Sequence, residues 1–308
     1  MAESGSGPLS TSSATWPAPA RCRVIAIANQ KGGVGKTTTT VNLAAALAQH
    51  GLRVLVVDLD PQGNASTALS VAHQGQMPSV YDVLIGDRSI AEVSVAVEGV
   101  PNLWCTPATI DLAGAEIELV SVVARETRLR RALESISEEV DYVFIDCPPS
   151  LGLLTLNAMV AAGEVLIPIQ CEFYALEGLS QLLSNVELVK NHLNRDLYVS
   201  TILLTMFDAR TRLADQVAAE VRSHFGELVL EAVIPRSVRI SEAPGFGQTV
   251  VTFDPASRGA LAYIAAAYDL AKRGKPELAR LDEPHLTDES HSIDEPHLTD
   301  EPHLGGSA

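Results

Sequence analysis

The sequence is short of aromatic residues, of basic residues and of paired cysteines. Phe, Trp and Tyr make up 5% of 308 residues. The 46% hydrophobic content must therefore build its core from Val, Leu, Ile and Ala. Lys and Arg number 22 against 38 Asp and Glu, a formal net charge of -16. So acidic a chain argues against non-specific nucleic-acid binding unless its cations gather on one face. Cys22, Cys105, Cys147 and Cys171 lie far apart and form no Cys-x-x-Cys pair, which suggests neither a zinc knuckle nor a redox pair. Packed thiols in a reducing cytosol are the expectation. No apolar run approaches the length of a membrane span, and the N-terminal residues lack the charged and apolar regions of a signal peptide.

What is present is an α/β alternation between two polar ends. Residues 1–20, rich in Ser, Ala, Pro and Gly, read as a disordered arm. Residues 21–275 form one domain, and 276–308 a disordered acidic tail. In that tail DEPHLTDE occurs at Asp282–Glu289 and again at Asp294–Glu301. From Glu277 to Ala308 there are nine acidic residues and one basic, so the tail carries about half the net charge. Its histidines, spaced by proline, are read as solvated.

Within the domain, strands are expected at Val24–Asn29, Arg53–Asp58, Leu103–Pro107, Tyr142–Asp146, Glu164–Gln170, Tyr198–Met206 and Leu230–Ile234. Most are continuous apolar runs, as strands covered on both faces should be. Helical patterns fill 36–50, 121–137, 175–193, 215–225 and 258–273. The fold class expected is α/β, a doubly wound, mostly parallel β-sheet flanked by helices. Right-handed crossovers place the loops after the strands on one edge.

The stretch Asn29–Thr40, NQKGGVGKTTTT, follows the first strand and opens a helix. Gly32, Gly33 and Gly35, with Val34 between them, let the backbone N–H groups approach phosphate oxygens. The helix start adds its positive end. Lys36 is placed to neutralise β- and γ-phosphates, and Thr37, followed by Thr38, offers a hydroxyl to Mg²⁺. Two features depart from an ordinary phosphate loop: Gln30 stands where glycine is usual, and there is a second lysine, Lys31. Asp58 ends the second strand and Asp60 lies just past its tip, where a carboxylate holds Mg²⁺ through water or orients an attacking water. Asp146 ends an apolar strand about a hundred residues after the loop, the shape of a Walker B strand whose acid meets Mg²⁺. Cys147 beside it, with no basic neighbour in sequence, is read as packing rather than nucleophilic.

These segments, together with ALEGLSQL, FDART, IPRSVRISEAP and SRGA further on, resemble the deviant Walker A family of P-loop ATPases (the MinD/ParA superfamily). Within it the chain is most similar to ParA/Soj-type chromosome and plasmid partition ATPases, from about Arg23 to Lys272. The resemblance implies ATP and Mg²⁺ as cofactors. It gives Lys31 a role: the signature lysine that crosses an ATP-bound homodimer to the partner's phosphates, so that ATP acts as a dimerisation switch. Gln30 is common in the family. By the same resemblance Asp60 is the acid needed for hydrolysis, Asp146 the Walker B acid, and Pro235 and Ser237 border the adenine, Ser237 often being asparagine there.

The resemblance further implies slow hydrolysis stimulated by a ParB-type centromere-binding protein, non-specific binding of double-stranded DNA, and a cytoplasmic, nucleoid-associated location without membrane contact. Arg210 and Arg239 match family positions that touch the DNA backbone, with Arg212 and Arg236 close by. From Thr205 to Lys275 there are nine basic and eight acidic residues, so solvated arginines or structural ion pairs are the competing reading. Other readings stay open. A MinD-like regulator of division at the membrane usually ends in a basic amphipathic helix, whereas this chain ends acidic and Pro-rich. An iron–sulfur reductase needs two cluster cysteines, which Cys105 and Cys147 match only loosely. A DNA-coating scaffold with incidental ATPase activity is the fourth.

Overall fold

Alternate residues of the central strands feed two different cores. In the computed structural model, which describes residues 16–75, 77–172 and 175–273, Leu55 and Val57 pack on one face of the sheet and Val54 and Val56 on the other. Val143 and Ile145 part from Tyr142 and Phe144 in the same way. The period of two in a strand requires this. It also explains why these strands read as unbroken apolar runs.

The strands are β1 (Arg23–Ile27), β2 (Val54–Asp58), β3 (Val95–Ala96), β4 (Leu103–Thr106), β5 (Tyr142–Asp146), β6 (Glu164–Gln170) and β7 (Tyr198–Thr205). Their order is β3-β4-β2-β5-β1-β6-β7. All pairings are parallel except β3 with β4. The helices are α1 (Lys36–Gln49), α2 (Asn64–Ala68), α3 (Val80–Leu84), α4 (Ile90–Val93), α5 (Leu112–Leu119), α6 (Arg128–Glu134), α7 (Leu153–Ala161), α8 (Ala175–His192), α9 (Arg212–Phe225), α10 (Val238–Glu242), α11 (Val250–Phe253) and α12 (Arg258–Lys272). Helices α1 and α12 cover one face together, and α7, α8 and α9 lie on the other. The expected doubly wound sheet is the observed one.

Two expected elements differ. Leu230–Ile234 is not a strand. Its amides Leu230 N–H and Ile234 N–H donate to Ile202 O and Leu204 O, so four residues of advance are spent against two of β7. The segment bulges away between those bonds, leaving only isolated bridges at Val229 and Pro235. The single helix expected over 121–137 is broken at Ala124, whose φ of 55° is left-handed and incompatible with a continuous α-helix. Only Arg128–Glu134 remains α-helical there, while the apolar stretch before it forms α5.

The chain divides between Lys275 and Pro276 into two units, and the acidic tail lies outside the described residues. So do residues 1–15 of the N-terminal arm; at its end the Trp16 ring stacks on His50 at 3.9 Å. Among the described residues no helix is long and apolar enough to cross a membrane.

Candidate nucleotide-binding site

The register of three strands assembles the site. Ile27 of β1 and Asp58 of β2 both pair with Asp146 of β5. Asp58 and Asp146 continue the series Val54, Val56 and Tyr142, Phe144, so both point to the α1 face. Helix α1 starts there. Gly35, its N-cap, takes φ 89° and ψ 30°, and Gly33 takes φ 75°. Both are left-handed conformations that a residue with a Cβ adopts only with strain. Among the described residues no side chain caps α1, so its first N–H groups face the loop without a side-chain acceptor. A Cβ built on Gly32 or Gly33 meets nothing within 4 Å: the cradle is open.

Asp146 is fully buried. Thr37 donates its hydroxyl to Oδ2 at 2.7 Å, and Thr40 donates to Oδ1 at 3.1 Å while also reaching the Lys36 carbonyl at 3.0 Å. Burial pushes the Asp146 carboxyl up to about 8; the Asp58 charge adds to this, and the threonine hydroxyls oppose it. Asp58 is likewise raised, to about 6, by burial, against hydrogen bonds from Ser66 and the Asp60 backbone. Lys36 is 8% exposed. Among the described residues its ammonium reaches only the Lys31 carbonyl, at 3.4 Å, and no carboxylate pairs with it. Burial lowers its pKa, while Asp146, Cys147 and Asp60 pull it the other way. A buried cation in no direct ion pair among the described residues, beside an open cradle of amides, is a site suited to an anion. Gln30 adds a buried Nε2 that has no hydrogen-bond partner among the described residues.

Asp60 stands at the rim. Its N–H donates to Asp58 Oδ1 at 3.2 Å, and its own Oδ1 accepts from Gln62 N–H at 3.0 Å. Val34 is buried, and its carbonyl accepts from Thr205 Oγ1 at 2.8 Å, which ties the loop to the end of β7. Past β7, Phe207 N–H donates to Ile234 O and Arg236 N–H to Phe207 O. The fold thus sets the Pro235–Ser237 segment beside the residues that leave β7. Thr38 spends its carbonyl on Asn42 Nδ2 at 2.7 Å. Lys31 pairs with Glu172 at 2.9 Å.

The four arginines lie on the same two adjoining segments. Arg210 clasps Asp208 through Nε and Nη2 at 2.8 and 2.7 Å. Arg239 pairs with Glu242 at 3.2 Å and Asp254 at 3.4 Å. Arg236 adjoins Phe207, and Arg212 opens α9. Sequence reading missed three supports: Asn29, which accepts from Lys31 N–H and donates to Pro168 O; Thr40; and Ser66. The run of four threonines after Lys36 is a signal for Thr40, because a residue four places on lies over the same turn.

A family model described as an AAA domain matches residues 22–199. Sporulation initiation inhibitor protein Soj of Bacillus subtilis (strain 168) is 55% identical over 252 residues, covering 82% of this chain and 99% of Soj. Chromosome partitioning protein ParA of Myxococcus xanthus is 52% identical over 258 residues, covering 84% and 91%. A crystal structure of cobyrinic acid a,c-diamide synthase from Mycobacterium smegmatis, holding an ATP analogue and magnesium, is 41% identical with a TM-score of 0.69, covering 80% of this chain and 93% of that one. On the strength of these identities over more than four-fifths of its length, the protein belongs to the ParA/Soj family of partition ATPases.

Proposed function

We propose that the protein is an ATP-dependent DNA-partition ATPase. The observation that carries this is the buried Lys36, in no ion pair among the described residues, beside the open glycine cradle, with Thr37 and Asp146 joined next to it. ATP and Mg²⁺ fit these residues. The amides of 32–37 and Lys36 would take the phosphates, and the Thr37 hydroxyl now given to Asp146, with Asp146 and Asp60, would hold the metal. Pro235 and Ser237 border the base. When bound, Mg²⁺ neutralises charge developing on the phosphates. The chain's own part is to orient an attacking water through Asp60 and to shield the site.

Lys31 acts in trans: it leaves its own subunit to reach the phosphates of a second copy, so triphosphate holds a homodimer together. Arg210 and Arg239, with Arg212 and Arg236, contact the backbone of double-stranded DNA without reading sequence. Two copies double a patch that is barely basic in one, so DNA binding follows dimerisation. Hydrolysis, slow alone and stimulated by a ParB-type centromere-binding partner, dissolves the dimer and releases the DNA. The protein then works in the cytoplasm, on the nucleoid.

The test is DNA retention with ATP, with ADP and without nucleotide, at two salt concentrations. Retention with ATP alone, weakened by salt, is the expected result. Equal retention in all three states rejects the reading.

A further inference from the structure

In one subunit Lys31 is already engaged. Its Nζ lies 2.9 Å from Glu172 Oε2, and the other carboxylate oxygen of Glu172 accepts from Gln170 Nε2. Glu172 N–H also donates to the Gln170 carbonyl at 2.8 Å. Gln170 is the last residue of β6, next to β1 in the sheet, so the carboxylate is oriented from the scaffold and not from Lys31's own loop. The backbone on the lysine side is pinned to the same strand: Lys31 N–H donates to Asn29 Oδ1 at 3.0 Å, and Asn29 Nδ2 donates to Pro168 O at 2.8 Å. The lysine carbonyl meanwhile faces the Lys36 ammonium. The two cations of the loop are thereby split: Lys36 faces the cradle, and Lys31 is drawn aside onto an acid.

We infer that Glu172 is a positioning residue that latches Lys31 in cis, and that the latch must open before Lys31 reaches a second copy of this chain. This rests on the trans role of Lys31 proposed above. One ammonium does not serve Glu172 and a partner's phosphates at once, so the ion pair and the dimer compete for it. Half-exposed side chains, 42% for Lys31 and 46% for Glu172, make the pair weak and reversible. Such a pair is closed about two to five times as often as it is open. A symmetric dimer opens two of them, so the latch raises the protein concentration needed for dimerisation by roughly ten- to fortyfold. The latch keeps subunits apart until triphosphate offers Lys31 a stronger anion.

The experiment is sedimentation velocity of the full chain with Mg²⁺ and a non-hydrolysable ATP analogue over a range of protein concentrations, at low and high salt. Glu172→Gln keeps the shape and removes the charge. The expected result is a concentration for half-dimerisation roughly ten- to fortyfold below that of the unaltered protein at low salt, with the gap narrowing at high salt as the latch is screened. An unchanged or higher concentration overturns the latch. Gln170→Ala, which frees the second carboxylate oxygen, shifts dimerisation the same way by less. It carries the test where Glu172→Gln fails to fold, and no shift there overturns the inference too. Lys31→Ala separates the layers. If it dimerises like the unaltered protein, the trans role itself is wrong and the latch falls with it. If it stays monomeric while Glu172→Gln and Gln170→Ala change nothing, the latch alone is wrong.

Discussion

Asp58 caps a helix to which it does not belong. From the end of β2, its Oδ2 accepts from Ser66 N–H at 2.8 Å and from Ser66 Oγ at 2.7 Å. Ser66 lies in the first turn of α2, whose N-cap is Gly63 and has no side chain to offer. The other carboxylate oxygen takes the Asp60 N–H. One buried acid therefore closes the helix start and aims the loop that carries Asp60. Asp58→Ala leaves these donors without an acceptor. Unfolding in urea should show a loss of about 1–2 kcal/mol, the relief of removing a buried charge beside Asp146 offsetting part of the cost. ATP hydrolysis should fall while nucleotide binding persists. Hydrolysis at the unaltered rate means that Asp60 keeps its aim without this support.

The ion pair at the opposite end of the sheet separates stability from function. Arg23 of β1 donates to both oxygens of Glu164 at 2.8 and 2.7 Å and to the Leu270 carbonyl at 2.7 Å. Its side chain is 13% exposed and that of Glu164 8%. Glu164→Ala strands a buried guanidinium, a change that costs about 3–5 kcal/mol. The urea midpoint should drop accordingly. Affinity for an ATP analogue should hold, because β1 and β6 begin at the edge away from the phosphate loop. A large loss of affinity in folded protein argues that the two ends of the sheet are coupled.

Much of this was readable in the sequence, for definite reasons. Val54–Asp58 and Tyr142–Asp146 are apolar on both faces and end in acids, so strand, burial and site coincide in one short run. The loop from Gln30 to Thr37 has few other conformational uses for its glycines. What escaped reading is non-local. The partners of Lys31 and Asn29 lie 141 and 139 residues away, and no local period announces them. Leu230–Ile234 has a strand's composition but advances too far between its bonds to β7. Ser121–Ser137 keeps a helical pattern across Ala124, where the backbone turns left-handed.

Asp60 offers the sharpest test of the chemistry. It touches its own loop and Asp58 but makes no ion pair with Lys36 among the described residues, so its removal should leave phosphate binding largely intact. Asp60→Ala is expected to bind ATP, dimerise and stay on DNA, with hydrolysis reduced by at least about a hundredfold, the usual worth of a positioned acid or base. Single-turnover measurement of phosphate release reads this directly. A rate equal to that of the unaltered protein removes Asp60 from the reaction.

The arginines are the part of the proposal that the structure loads against itself, because each leading cation already has an acid. Arg210 holds Asp208 although its side chain is 85% exposed. Arg239 sits between Glu242 and Asp254, 6.0 Å from the centre of the Phe253 ring. A DNA phosphate must win these guanidiniums from carboxylates that are only partly exposed, 23% for Asp208, 36% for Asp254 and 44% for Glu242, but the exposed arginines keep the pairs weak and screened by salt. Two variants push the balance in opposite directions. Asp208→Asn frees Arg210 and should raise DNA affinity a few fold at low salt. Arg210→Glu with Arg239→Glu should abolish retention while leaving the ATP-dependent dimer unchanged in sedimentation. Replacing both by Ala, where residual binding is measurable, should flatten the dependence of log affinity on log salt by about 3 to 4 for a dimer that loses four phosphate contacts. An unaltered slope, with binding intact at low salt, places the DNA on another face of the molecule.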